Sequence, residues 1–516
     1  MPYRFFRRYL PLIVCCFLLT RGGVALGQAD TGGSPRVFMH GAGVDPLAFV
    51  WTLIAGFLVM FMQAGFALVE TGMCRAKNSA HTMSMNLLVY ALAMIAFFVC
   101  GYAFMCGGVN APGGIGGPHS LGVDNAPVLD RMLNLPIGKH HWGLLGLSGF
   151  FLTGGINKSP GALIWFFYMM VFMDTAATVP TGACAERWRF KSFAIFSLLI
   201  GGFIYSVYGC WMWGGGWLSE LGRYAGLGHG AVDFAGSSVV HLQAGVMSLV
   251  MVLQIGPRIG KYDSEGNARP IFGHHMPMVI LGTLILAFGW FGFNAGSTLD
   301  GVSDRIGIIV VNTMLASGAA ALVTSVYMWR AYGRPDPSMM CNGILGGLVA
   351  ITAPCPFVTP QMAVVIGLIA GFIVALGVLW IERAGVDDPV GAISVHGVAG
   401  LWGLIAVGLF ADGTWGDGYN GVAGNVVGLF YGGGFKQLFA QIIAAAVCIV
   451  WNIVVAGGAF KLLQGFLRTN RVSPEVEIAG LDIPEMGAPG YPEFIMRVSQ
   501  EEVSSSDIIA ARSRMY

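Results

Sequence analysis

Two stretches of this chain repeat one pattern of reactive side chains. Asp233 is followed by Gly236, Val240 and His241, and Asp388 is followed at the same intervals by Gly391, Val395 and His396. A further glycine stands four residues past each histidine, Gly245 in one stretch and Gly400 in the other. Both stretches open long apolar runs. An imidazole inside such a run is costly unless it faces a polar interior, so it marks a functional position. Two imidazoles that meet can share a proton, one nitrogen donating and the other accepting. A single buried histidine is more simply a core residue bonded to a backbone carbonyl. The matched pair reverses that balance and points to duplicated halves that meet at one central site.

The elements that must hold these residues are membrane helices. Of 516 residues, 55% are hydrophobic, 11% are charged and 77 are glycine. This profile excludes an ordinary soluble domain, and abundant glycine suits helices packed closely in a bilayer. The net charge of +1 gives no sign of a nucleic-acid partner. Arg4, Arg7 and Arg8 precede an apolar stretch and then small residues at Ala25 and Gly27, so residues 1–27 are expected to be a signal peptide cleaved near Gly27–Gln28, with an uncleaved anchor as the alternative. Eleven hydrophobic runs follow, near 46–69, 82–106, 160–183, 192–214, 232–256, 276–297, 304–329, 341–357, 361–383, 391–411 and 436–465. A span needs about 20 residues, which makes the short, glycine-rich run at 341–357 the weakest.

Orientation follows from the basic residues. With the N-terminus outside, Arg75, Lys77, Arg187, Arg189, Lys191, Arg258, Lys261, Arg269, Arg330, Arg334 and Arg383 all fall on the cytoplasmic side. Asp233 then enters its helix from outside and Asp388 from inside. The first five spans and the next five run oppositely, as an inverted repeat with one helix left over. Eight residues of α-helix rise about 12 Å, which would bring each histidine near the midplane. The expected organisation is a membrane domain over 28–465 and a cytoplasmic tail over 466–516.

Other residues have plainer readings. The cysteines form no CxxC pair and read as buried thiols. His140-His141 and His274-His275 read as loop residues near the membrane surfaces, and Glu186-Arg187 as a structural charge pair at a cytoplasmic helix end. Asp233 also suits a helix N-cap. Trp213 alone would be an interfacial anchor, and Phe172 and Phe293 alone would be packing. The stretches 107–159 and 217–231 are long outer loops able to cap a mouth or to pack between subunits.

Several longer motifs recur in order. They are Phe61 to Met73 followed by Arg75, Lys77 and Asn78; Pro180 to Arg187; Trp213 with three glycines; Asp233 to Gly236; Gly289 to Ser297; Asp387-Asp388 leading to His396; and Glu477 to Asp482. Over roughly 45–491 the chain resembles the ammonium transporter (Amt/Mep/Rh) family, and specifically a bacterial Amt protein. The resemblance implies an all-α polytopic fold of eleven helices with a five-plus-five inverted repeat, assembled as a homotrimer in the cell inner (plasma) membrane. It places His241 and His396 as the twin histidines of the pore. Trp213, Phe172 and Ser297 become the walls of an outer ammonium site supported by Asp233, Phe172 and Phe293 become the gate, and Asp388 becomes the inner structural carboxylate. It also implies a P-II signalling protein as a partner on the cytoplasmic face. The tail departs from many relatives in carrying Met486 where they have histidine.

The implied function is ammonium uptake without a cofactor, and not enzyme catalysis. Tryptophan and phenylalanine faces attract a cation by up to about 2 kcal/mol when desolvated, while an apolar pore penalises a bare ion. Ammonium can shed a proton and potassium cannot, so neutral ammonia passes and the histidines offer the proton a route. Whether the charge crosses as ammonium or as separated ammonia and proton stays open. The alternatives are an ammonium sensor acting through the tail, a Rh-like gas channel and a metalloenzyme. The last lacks a third ligand beside two histidines. No kinase or cyclase domain follows the final span, which weighs against a self-contained sensor.

Overall fold

The structure is a computed structural model, and it describes residues 45–112, 114–124 and 126–493. The expected signal peptide and the last residues of the tail lie outside these. The described chain is a bundle of membrane-crossing length. Its main helices are α1 (Pro46–Met73), α2 (Ala76–Cys106), α3 (Pro160–Ala183), α4 (Phe190–Trp213), α5 (Ser237–Ile255), α6 (Met276–Thr298), α7 (Ile306–Tyr332), α8 (Pro337–Thr352), α9 (Pro360–Arg383), α10 (Ile393–Phe410) and α11 (Lys436–Leu467). Ten of these are long and apolar enough to cross a bilayer, and α8 is the short one, as its sequence foretold.

Many helix starts are written in the sequence. Asp45, Ser159, Asp336 and Thr359 each stand before a proline, and each side chain accepts a hydrogen bond from an amide of the first turn. The cap satisfies an orphan donor, and proline sits where its missing N–H costs nothing. Helices α3, α4, α5 and α10 are mostly buried and form the centre. Helices α1, α2, α6, α7, α9 and α11 turn more of their apolar surface outward, as expected of helices facing lipid.

Two expectations need correction. The outer stretch 107–159 contains an antiparallel hairpin of β1 (Met132–Ile137) and β2 (His140–Gly146). His140 and His141 are therefore strand residues, and the His140 ring stacks on Tyr224 at 4.4 Å. The Glu186-Arg187 pair is not a pair. Glu186 has a positive φ of 70°, which turns the two side chains to different partners. Glu186 takes Arg75 and Arg258, while Arg187 donates to the carbonyls of Ala183, Ala185, Gly256 and Asp387.

Candidate functional site

The repeated motif works the same way in both halves. Gly236 and Gly391 have φ of 112° and 77°, a region open to glycine and costly for other residues. The turn folds the backbone over the preceding carboxylate. Asp233 then accepts from the amides of Gly236, Ser237, Ser238 and Val239 and from the Ser238 hydroxyl, at 2.7–3.0 Å. Asp388 accepts from the amides of Val390, Gly391 and Ile393. Both carboxylates thus cap a helix N-terminus, where negative charge is favoured. The eight-residue rise expected from a continuous α-helix does not apply. The first residues form the turn, and the helix opens with a π-helical segment, Ser237–Leu242 in α5 and Ile393–Val398 in α10. Each histidine sits in that segment, a widened turn of the sort that recurs at functional sites.

Gly245 and Gly400 let α5 and α10 touch. A Cβ at Gly245 would lie 2.1 Å from the Gly397 amide nitrogen, and one at Gly400 would lie 2.6 Å from the Ser237 carbonyl. At this crossing His241 Nδ1 and His396 Nδ1 stand 3.2 Å apart. Two Nδ1 atoms at hydrogen-bond distance require that one carry the proton and the other accept it. The His241 ring stacks on Trp290 at 5.2 Å and on Phe293 at 5.4 Å. Its Nε2 is buried with no hydrogen-bond partner.

Next to the histidines lies a cluster of aromatic rings. Phe172 and Phe293 stack at 4.1 Å, 19° from parallel. Trp213 meets Phe172 edge-on at 6.0 Å, and its indole N–H donates to the Asp233 carbonyl at 2.7 Å. Ser297 Oγ donates to the Phe293 carbonyl at 2.7 Å and lies 3.2 Å from the Tyr168 hydroxyl. Its lone pairs remain available. The structure therefore brings together His241, His396, Phe172, Phe293, Trp213 and Ser297, with Asp233 one layer behind Trp213 and Asp388 at the far end of the other half.

Sequence reading missed Tyr168 and Trp290. Tyr168 packs on Phe172 at 4.7 Å from one helical turn earlier, and Trp290 anchors its N–H on Thr352 at 2.9 Å while supporting His241. Their signal was helical spacing from Phe172 and Phe293, which is indistinguishable from packing in a chain this aromatic. Among the described residues no group of three or more His, Cys, Asp or Glu is placed to hold a metal ion.

The end of the bundle that carries Asp387 is held by charge. Arg258 makes paired bonds to Asp387 at 2.8 and 2.9 Å and reaches Glu186 at 2.7 Å. Burial alone would raise the Asp387 carboxyl, but the Arg258 hydrogen bonds and the Arg187 and Arg258 charges outweigh it and hold it below the usual range. The tail docks on the same surface. Glu477 binds Arg471 and the Ile259 amide, Asp482 binds the His81 amide, and Glu485 binds the Phe190 amide.

Residues 50–491 match the model of the Ammonium Transporter Family. The chain is 44% identical to ammonium transporter Amt2 of Archaeoglobus fulgidus, over 94% of this chain and 95% of that protein. It is 37% identical to ammonium transporter Amt1 of Haloferax mediterranei, over 87% and 80%. Among solved structures it superimposes on a sensor Amt protein with a TM-score of 0.72 and 33% identity, covering 85% of this chain and 98% of that one. For Candida albicans Mep2 the TM-score is 0.69 at 26% identity, covering 84% and 88%.

Proposed function

The chain belongs to the ammonium transporter family, and on that premise we propose that it takes ammonium up through a pore of its own, with His241 and His396 relaying the proton. The 3.2 Å contact between the two Nδ1 atoms behind a closed pair of phenyl rings carries this reading. Ammonium first rests against Trp213 and Phe172, whose faces attract a cation, and donates to Ser297 Oγ. Asp233 is fully engaged by five donors, so it shapes the field at the mouth without touching the ion. The stacked phenyls admit no hydrated ion. Ammonium gives up one N–H proton, neutral ammonia crosses the apolar stretch, and the histidine pair passes the proton inward.

The subunits form a homotrimer in the cell inner membrane, with the N-terminus outside and the tail in the cytoplasm. The tail face is the docking place for a P-II protein. The protein is a transporter and not an enzyme. Uptake of isotopically labelled ammonium into proteoliposomes tests the reading: saturable uptake unaffected by excess potassium is expected. Its absence from folded, correctly inserted protein would overturn it. The likeness to a sensor Amt protein favours a second reading, in which ammonium binds at Trp213 and signals through the tail. Ammonium binding without any uptake would select it.

A further inference from the structure

The relay needs an inner end. His396 uses Nδ1 against His241, which leaves Nε2 for the inward step. A cavity opens beside it, lined by Phe66, Glu70, Val179, Asn342, Val395 and His396 among others. Glu70 is the one carboxyl on that wall, and the rest of the lining is apolar apart from Asn342 and His396 itself.

Glu70 is built in. It lies on α1 and is 2% exposed. Its Oε2 accepts from Asn86 Nδ2 of α2 and from Thr181 Oγ1 of α3, both at 2.7 Å. One turn outward, Thr178 of α3 donates to Gln63 of α1 at 2.8 Å, and Gln63 donates to the Asn86 carbonyl at 2.7 Å. Two polar side chains from two other helices thus fix one carboxyl at the edge of the cavity, and Gln63 and Thr178 tie the same three helices together beside it. No cation is among its hydrogen-bond partners, and the titratable groups whose charge it feels or influences are Asp388, Cys184 and Cys74. A buried carboxyl without a cationic partner is costly in a membrane. A carboxylate here therefore gains by taking up a proton.

We propose that Glu70 is the proton acceptor at the inner end of the relay. The His396 imidazolium releases its Nε2 proton across the cavity, through water, to the Glu70 carboxylate. His396 returns to neutral imidazole, Glu70 becomes a carboxylic acid, and that acid then loses the proton to the cytoplasmic solution. Asn86 and Thr181 hold the carboxyl toward the cavity through both states. The proposal rests on the relay reading above.

The test is ammonium-evoked current in proteoliposomes for wild type, Glu70→Gln, Glu70→Asp and His396→Ala, each checked for folding by size exclusion. Glu70→Gln keeps the shape and an acceptor for Asn86 but cannot take a proton. The expected result is a loss of current of about tenfold or more, with passive ammonia permeation retained and partial recovery in Glu70→Asp. Wild-type current in folded Glu70→Gln would overturn the assignment. So would a folded Glu70→Asp as inactive as Glu70→Gln, since that marks a packing role. Should Glu70→Gln not fold, the wild-type protein can be treated with a hydrophobic carbodiimide, which attacks buried protonated carboxyls. Modification mapped to Glu70 with loss of current supports the proposal, and modification there with full current refutes it. Current unchanged in His396→Ala would sink the relay itself, whereas loss in His396→Ala alone would sink only the role of Glu70.

Discussion

The Asp233–His241 and Asp388–His396 copies of the carboxylate–histidine motif share a sequence pattern and a local fold but not an environment. Outside, Asp233 is saturated by five donors, and His241 is pressed against Trp290 and Phe293. Inside, Asp388 has three backbone donors, its neighbour Asp387 is gripped by Arg258, and His396 opens on a cavity with Glu70. Duplication fixes where the two imidazoles meet. The helices around them decide that one end is aromatic while the other is charged and tied to the tail.

The largest expected effect is at Asp233. Removing it orphans five donors, each costing about 1–3 kcal/mol when buried, so Asp233→Ala should abolish uptake and lower the melting temperature steeply. Asp388→Ala, with fewer donors to orphan, should be milder in a thermal melt of the detergent-solubilised protein. Asp233→Asn should fold but transport poorly. Wild-type uptake in Asp233→Asn would reduce the residue to a cap, and equal melts for the two alanine variants would erase the contrast between the ends.

Next comes Arg258. Breaking a buried ion pair from one side costs about 3–5 kcal/mol, and Arg258→Ala strands Asp387 and leaves Glu186 with Arg75 and Asn78. Its thermal midpoint should fall well below that of Arg75→Ala, because Arg75 is partly exposed and makes its ion pair with Glu186 alone among the described carboxylates. Equal midpoints would mean that the cluster is not the inner anchor.

The motif, the spans and the inverted repeat were legible because apolar run length and period survive in any sequence. The meeting of His241 with His396 was legible because the same intervals occur twice. The hairpin at Met132–Ile137 was hidden, since an exposed strand pair between glycine-rich turns carries little periodic apolar signal. The opposed partners of Glu186 and Arg187 were hidden too, because adjacency in sequence says nothing of the positive φ that separates them. Tyr168, Trp290 and Glu70 matter through neighbours on other helices, and a linear reading does not pair helices.

A smaller effect is expected in the tail. Gly480 has φ 103°, and a Cβ there would lie 2.6 Å from the Lys77 carbonyl. Gly480→Asp should strain this docking by about 1–3 kcal/mol and, in the proposed trimer, lower transport in every subunit when mixed with wild type. Deletion of 492–516 should matter less. Activity that scales with the number of wild-type subunits would exclude coupling through the tail.

The smallest effect is an outer one. Burial pushes the Glu220 carboxyl up to about 7 against the pull of the Arg223 charge. The folded protein therefore holds this proton more tightly than the unfolded chain. Stability should fall as pH rises from the ordinary carboxylate range through about 7, then level off. Glu220→Gln should flatten that part of the stability–pH curve, and an unchanged slope would remove Glu220 as its source.

The central claim is that His241 and His396 act as one relay across the meeting of the two halves. Ammonium-evoked current across proteoliposomes, recorded with and without excess potassium, addresses it directly. With either histidine replaced by alanine, selective ammonium current should drop by about two orders of magnitude, the scale of a lost proton-transfer group, and potassium should begin to leak. Full ammonium current with unchanged selectivity in both His241→Ala and His396→Ala would contradict the account.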